Sequence, residues 1–308
     1  MASSSSNDGT PAAVPASATD NNTNTNTTVN PATSANISIR EYIYFLPYPL
    51  PPNTPIPYSI WLPDENPLDL PPCQFEPTST VVLTSPNRTF IDVRVYKPFN
   101  ITPGLLPNQG EVQRLDWAFA GTSSSVPVPW ENVTHSTWTH WIDSRHPIPT
   151  PSSPIPPDEG YMYPIASDLS LEVGHAFHPA LRAVKTHEEM WRDMRILTTN
   201  AAAGTKICIV LRTHADAGGL KGLVMRVGQY VQGMMVLEAR VTVERWVWDG
   251  EDTGAAVGVE AGLWEREVRV GEQFLPCGVL MRDEVLTVGG EVAFSGFRWV
   301  VEECWEWM

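Results

Sequence analysis

From Leu220 to Trp248 the chain reads LKGLVMRVGQYVQGMMVLEARVTVERWVW, and apolar and polar positions alternate through most of it. Leu223, Met225 and Val227 fall on one parity, and Val241 and Val243 repeat the pattern after glycines at 228 and 233. A period of two broken by glycine predicts antiparallel strands that bend, and bent strands curl a sheet toward closure. The pattern recurs along the chain. It predicts strands at Ile37–Tyr44, Thr80–Thr84, Thr89–Tyr96, Leu115–Thr122 and Ser136–Asp143. It predicts more at Lys206–Arg212, Leu223–Val227, Tyr230–Leu237, Arg240–Trp248, Leu263–Val270, Glu284–Val288, Glu291–Phe294 and Phe297–Trp307. Short Gly- or Asp-rich turns such as Asp249-Gly250 separate most of the later runs, which suits an up-and-down barrel. The segment from Leu169 to Leu197 is ambiguous. Thr186-x-x-Glu189 fits a helix capping box, yet EEMWRDM alternates and favours an extended start.

A weak echo divides the chain. REYIYFLP, TVVLTS and FIDVRVYK are answered by HEEMWRDM, CIVLRT and LVMRVGQY, which implies two similar units. The boundary then falls between residues 165 and 183, with one barrel over 37–175 and a second over 183–308. Residues 1–36 hold almost no large apolar group and are expected to be disordered. Eleven prolines between residues 45 and 77 exclude a central strand there. Pro49-Leu-Pro-Pro52 fits a polyproline ligand core, but a stiff loop inserted between strands at 47–77 is the plainer reading.

Composition narrows the function. A net charge of −15 argues against nucleic acid or an anionic membrane as partner. No apolar run is long enough to span a bilayer. The first twenty residues lack a basic region followed by an apolar core, so no secretory signal is expected and the sequons at Asn21, Asn26, Asn36, Asn87, Asn100 and Asn132 read as chance. Cys73, Cys208, Cys277 and Cys304 lie far apart, as reduced thiols of a cytosolic protein do.

Candidate chemistry is sparse. His175, His178 and His187 have no zinc-like spacing, and packing or solvated histidines explain them better. No nucleophile elbow, P-loop or dinucleotide fingerprint is present, and Asp116 with Asp143 is a weak carboxylate pair. No catalytic residue, cofactor or metal is expected. The twelve tryptophans are unusual. Trp299, Trp305 and Trp307 share a face of the last strand by parity, as core aromatics or as the lining of a barrel mouth. Arg226, Gln229, Tyr230 and Gln232 would be the polar groups of such a mouth, where a small apolar or aromatic ligand could sit.

Asp116-Trp-Ala-Phe-Ala-Gly-Thr122 and Gly222-Leu-Val-Met-Arg-Val-Gly-Gln-Tyr-Val-Gln-Gly233 resemble signatures of the fungal HRI family. Trp138-x-x-Trp-Ile-Asp143 and Phe297-Arg-Trp-Val-Val-Glu302 follow in the expected order. The resemblance covers residues 37–308. It implies two lipocalin-like β-barrels in tandem and a cytosolic and nuclear protein that interacts with a casein kinase I. The family pattern lacks the long N-terminal tail and the Pro-rich insertion. Asp116 and Trp117, with Arg226, Gln229, Tyr230 and Gln232, are the candidate partner- or ligand-binding positions. The expected function is a non-enzymatic interaction protein, with a barrel binder of a small ligand as the alternative.

Overall fold

The computed structural model describes residues 34–46, 53–61, 69, 71, 75–98, 105–130, 132–178, 181–199, 204–214, 219–250, 262–282 and 286–308. The expected disordered tail before residue 34, the Pro49–Pro52 core and Cys73 lie outside these residues. The first eight strands are β1 (Asn36–Phe45), β2 (Thr78–Thr84), β3 (Thr89–Tyr96), β4 (Leu115–Pro127), β5 (Thr134–Asp143), β6 (Asp158–Pro164), β7 (Leu169–His178) and β8 (Ala183–Asp193). Each pairs antiparallel with the next, and β8 returns to β1 to close an eight-stranded barrel.

The remaining strands are β9 (Lys206–Thr213), β10 (Lys221–Val227), β11 (Tyr230–Leu237), β12 (Arg240–Trp248), β13 (Trp264–Val270), β14 (Glu291–Phe294) and β15 (Phe297–Trp307). They form a seven-stranded sheet in the order β13-β12-β11-β10-β9-β15-β14. A short helix, α1 (Cys277–Leu280), packs on the face turned away from the barrel.

The all-β class and the closed first ring match the sequence pattern. Four details differ. Residues 183–193 do not open the second unit: β8 is hydrogen-bonded between β7 and β1, and the first unit runs on to Asp193. That also settles the ambiguous stretch as strand, because Thr186 and Glu189 lie inside β8. The second sheet stays open among the described residues. Its β13 edge is taken by the barrel's β3–β4 connection, where Gly110 bridges Val270 and Arg269 donates its N–H to the Pro107 carbonyl at 2.8 Å. The strand expected at 284–288 is irregular over its described part, 286–288.

The fourth concerns the last strand. Its register shifts between Val301 and Glu303, so parity inverts there. Trp299 and Val301 pack on the α1 side, whereas Trp305 and Trp307 face the barrel. The three tryptophans do not share a face, because a bulge inserts one residue between them. Gly222 sits opposite Trp299, where an added Cβ would come within 2.6 Å of the indole ring.

The two units meet face to face. Val81, Leu83, Ile91, Val93 and Val95 on the outside of β2 and β3 form one core with Leu223, Met225, Val227, Met234, Val236 and Val243 of the open sheet. All are almost fully buried, and each such side chain contributes roughly 1.5–3 kcal/mol when it leaves water. The Leu223 face of β10 is buried as the alternation predicts. Its opposite face is buried too, under α1.

Candidate functional site

On β3 the residues that alternate with Ile91, Val93 and Val95 are Asp92 and Arg94, and they point into the barrel. The guanidinium of Arg94 lies 2.8 Å from the Asp92 carboxylate and 3.6 Å from that of Glu189 on β8. It also stands over Trp117 on β4 at 5.1 Å and Trp191 on β8 at 5.9 Å. Contacts between β3 and β8, which are not neighbours, can only cross the lumen. Arg40 on β1 completes the cluster. It grips Glu76 with two N–H groups, at 2.8 and 3.1 Å, and donates to Glu189 at 2.9 Å and Thr78 at 2.8 Å. Glu172 on β7 accepts the Trp191 indole N–H at 2.9 Å.

A second group of lumen side chains adjoins this one, with the Arg94 guanidinium 5.3 Å from the Phe119 ring. His140 bonds Asp143 at 2.8 Å and Asp158 at 3.0 Å, and its ring stacks on Phe119 at 4.2 Å. Asp143 also accepts the Trp117 indole N–H at 3.0 Å. Gly160 and Gly174 face each other across β6 and β7 and make room for the cluster. A Cβ on Gly174 would lie 2.7 Å from the His187 ring, and one on Gly160 would lie 2.9 Å from Glu172. An eight-stranded barrel is just wide enough to be filled by its own side chains, and here the filling is charged and aromatic.

Burial and charge pull these groups apart. Burial pushes the Glu189 carboxyl up, but Arg40, Arg94 and His187 outweigh it and bring the pKa down to about 2. Glu172 is raised well above the ordinary carboxylate range, first by burial and then by repulsion from Glu189 and Asp158. Glu172 and Glu189 are register partners, so one carboxyl ionises at the expense of the other. Burial raises Asp92 despite Arg94 and lowers His187. His140 loses by burial and gains more from Asp143 and Asp158, ending above its ordinary value. Among the described residues, Oδ1 of Asp92 and Nδ1 of His187 have no hydrogen-bond partner. Among the described residues no three His, Cys, Asp or Glu side chains form a group able to hold a metal ion.

The other polar device is the seam. Arg245 on β12 is fully buried and reaches the barrel from the open sheet. It donates to the Ser79 hydroxyl at 2.8 Å, the Ser79 carbonyl at 3.1 Å and the Val93 carbonyl at 2.9 Å. Its Nε holds the Gln232 side-chain oxygen at 2.9 Å, and the Gln232 amide donates to the Val81 carbonyl at 3.0 Å. Glu303 accepts the Ser85 and Thr89 hydroxyls at 2.8 and 2.6 Å.

At one end of this seam lies a cleft of about 430 Å³. Val112, Leu115, Leu237 and Val241 give it an apolar floor, and Asp116, Arg145, Arg240 and Glu272 supply charged groups. Arg145 lies 2.9 Å from Asp116 and stacks over Trp117 at 4.3 Å. Asp116 also accepts the Tyr96 hydroxyl at 2.8 Å.

The six residues singled out in the sequence therefore separate. Asp116 lines the cleft and Trp117 lies beneath its Arg145. Gln232 is a seam clamp. Gln229 holds the chain after β8, accepting the Leu197 N–H at 2.9 Å and donating to the Arg195 carbonyl at 2.8 Å. Tyr230 packs against the inter-sheet core. Arg226, expected at a barrel mouth, is buried under α1. It donates to the Leu280 carbonyl, the Thr199 hydroxyl and the Gly228 carbonyl, and lies 5.2 Å from the Trp264 ring. No barrel mouth collects Arg226, Gln229, Tyr230 and Gln232, because β10 and β11 are covered on both faces. Asp116 and Asp143 do not form a pair either; each is held by its own donors. Arg40, Arg94, Glu172 and Glu189 are not among the candidates the sequence offers, although the alternation of Asp92 and Arg94 with valines is their signal.

Fold and site together define an all-β protein in which a closed barrel with a charged lumen is fused face to face with an open sheet, leaving a cleft at the join. The chain belongs to the Protein HRI1 family, whose model matches residues 65–303. It is similar to a solved structure, that of the uncharacterized protein YLR301w from Saccharomyces cerevisiae, with 17% identity and a TM-score of 0.59 over 88% of this chain and 99% of that one. At that identity the likeness concerns the fold alone. Among curated proteins none matches the chain. Among the described residues no helix is long and apolar enough to cross a membrane.

Proposed function

We propose that the protein is a non-enzymatic interaction protein of the cytosol and nucleus, and that the seam cleft is where a protein partner docks. The observation that carries the reading is the contrast in openness. The lumen is occupied by its own ion-paired side chains, while the cleft offers an apolar floor between charged walls. Interfaces commonly combine a desolvated centre with a charged rim that selects the partner. A casein kinase I is the partner class implied by the family resemblance. The test is capture of purified casein kinase I by the full chain and by Arg145→Glu, which reverses a rim charge and leaves the cores alone. Capture by the native chain, weakened about tenfold or more in the variant, is expected. Equal capture by both, or none by either, contradicts the reading.

The alternative, a small apolar or aromatic ligand within a barrel, has less support, because buried carboxylates and guanidinium groups occupy the space such a ligand needs. A native mass spectrum of protein isolated from its own cells distinguishes the two. A stoichiometric retained small molecule would favour the ligand.

A further inference from the structure

Four Ser/Thr-Pro steps lie among the described residues, at Thr54, Ser85, Thr150 and Ser153. The fold treats them differently. Ser85 is fully buried and its hydroxyl is bound to Glu303 at 2.8 Å. Thr54 is half-buried. Thr150 and Ser153 lie on the β5–β6 connection, where every residue from Ile148 to Pro154 is exposed. Within that loop they are again unequal. Thr150 and Ser153 are the first and last residues of a tight turn, with Ser153 N–H donating to the Thr150 carbonyl at 2.9 Å and Thr150 N–H to the Ser153 carbonyl at 3.1 Å. Pro151 takes the second position, which suits its fixed φ. The Thr150 hydroxyl is engaged in the turn, accepting the Ser153 N–H at 3.1 Å and lying 3.0 Å from the Ser152 hydroxyl.

Ser153 is placed otherwise. Its hydroxyl makes no hydrogen bond among the described residues, and Pro154-Ile-Pro-Pro157 follows it. Prolines hold that stretch extended, and the residue before a proline is itself biased to extended backbone. Protein kinases take Ser and Thr from exposed, extended segments, and one large group of them requires proline at the next position.

We propose that Ser153 is a phosphorylation site for a Ser/Thr-Pro-directed protein kinase, with Thr150 a slower second acceptor. In the transfer the Ser153 oxygen forms a bond to the γ-phosphorus of ATP. The bond from that phosphorus to the bridging oxygen of ADP breaks, and the hydroxyl proton passes to the kinase's base. The product carries about −1.5 to −2 added charge on the loop that follows Ser144 and Arg145 of the cleft.

The test treats the folded full chain, its Ser153→Ala and Thr150→Ala variants, and a peptide of residues 147–157 with a cyclin-dependent kinase and ATP. Casein kinase I serves as the counter-probe, and phosphate is located by peptide mass spectrometry. Expected are phosphate on Ser153 of the native chain and the peptide, its loss in Ser153→Ala and retention in Thr150→Ala. Ser85 should be modified only after unfolding. The proposal is overturned by an unmodified Ser153 in the folded chain, with or without a modified peptide. Transfer by casein kinase I alone, or to Ser85 of the folded chain at a comparable rate, overturns it equally. The result is independent of what docks in the cleft.

Discussion

The barrel lumen and the inter-sheet seam are two faces of the same strands. On β3, Asp92 and Arg94 look into the lumen while Ile91, Val93 and Val95 look out at the open sheet. Both sets are buried, yet their chemistry is opposite. The outward face is held by area, with a few clamps such as Arg245 and Gln232 satisfying backbone carbonyls. The inward face is held by mutual pairing of charges that would be costly alone. Alternation therefore reports that two faces differ, and does not report which of them is dry.

The largest expected effect breaks the lumen. Glu189→Ala leaves Arg40 and Arg94 without their shared carboxylate, and should cost about 3–5 kcal/mol in chemical denaturation. A loss below about 1 kcal/mol, the level of an exposed pair, would mean the lumen is wet. Next comes the seam. Met225→Ala removes a fully buried side chain from the inter-sheet core and should cost about 2–5 kcal/mol. Were the two units only loosely docked, that mutation would change little. A smaller effect, about 1–3 kcal/mol, is expected for Gln232→Leu, which strands the Arg245 Nε and the Val81 carbonyl. Calorimetry showing no loss would mean that the Gln232 clamp adds nothing to the seam.

The smallest effect is the most diagnostic in sign. Glu172 has a folded pKa above its ordinary value of 4.5, so the folded state holds that proton more tightly. Its contribution is complete below pH 4.5 and is lost as pH rises through the folded value. Glu189 runs the other way: its contribution is present above pH 4.5 and disappears as pH falls toward 2. Glu172→Gln keeps an acceptor for Trp191 and cannot ionise. Its melting temperature relative to the native chain should rise as pH climbs above 4.5, and a flat difference would place Glu172 in solvent.

Much of the fold was legible in the sequence, because strand alternation is local. Met225 and its parity partners were placed correctly on a buried face, and the strands from Lys206 to Trp248 fall close to their expected positions. What was not legible depends on pairing between distant segments. Nothing in EEMWRD says that β8 must close onto β1. No local pattern marks the extra residue between Val301 and Glu303 that sends Trp299 to one face and Trp305 to the other. Arg226 alternates as a solvent residue would, and only α1, some fifty residues later, buries it. Of the candidate site, Asp116 lines the cleft and Trp117 lies under Arg145. The lumen cluster stayed hidden because its charges look, residue by residue, like an ordinary wet face.

The barrel encloses an ion-paired lumen whose charged groups are held away from water. The most direct measurement is a carboxyl-carbon NMR titration of Glu172 and Glu189 in the folded chain. Glu189 should titrate near 2 and Glu172 well above the usual carboxylate range, the two curves perturbing each other. Independent titration of both near their ordinary value of 4.5 would contradict the account.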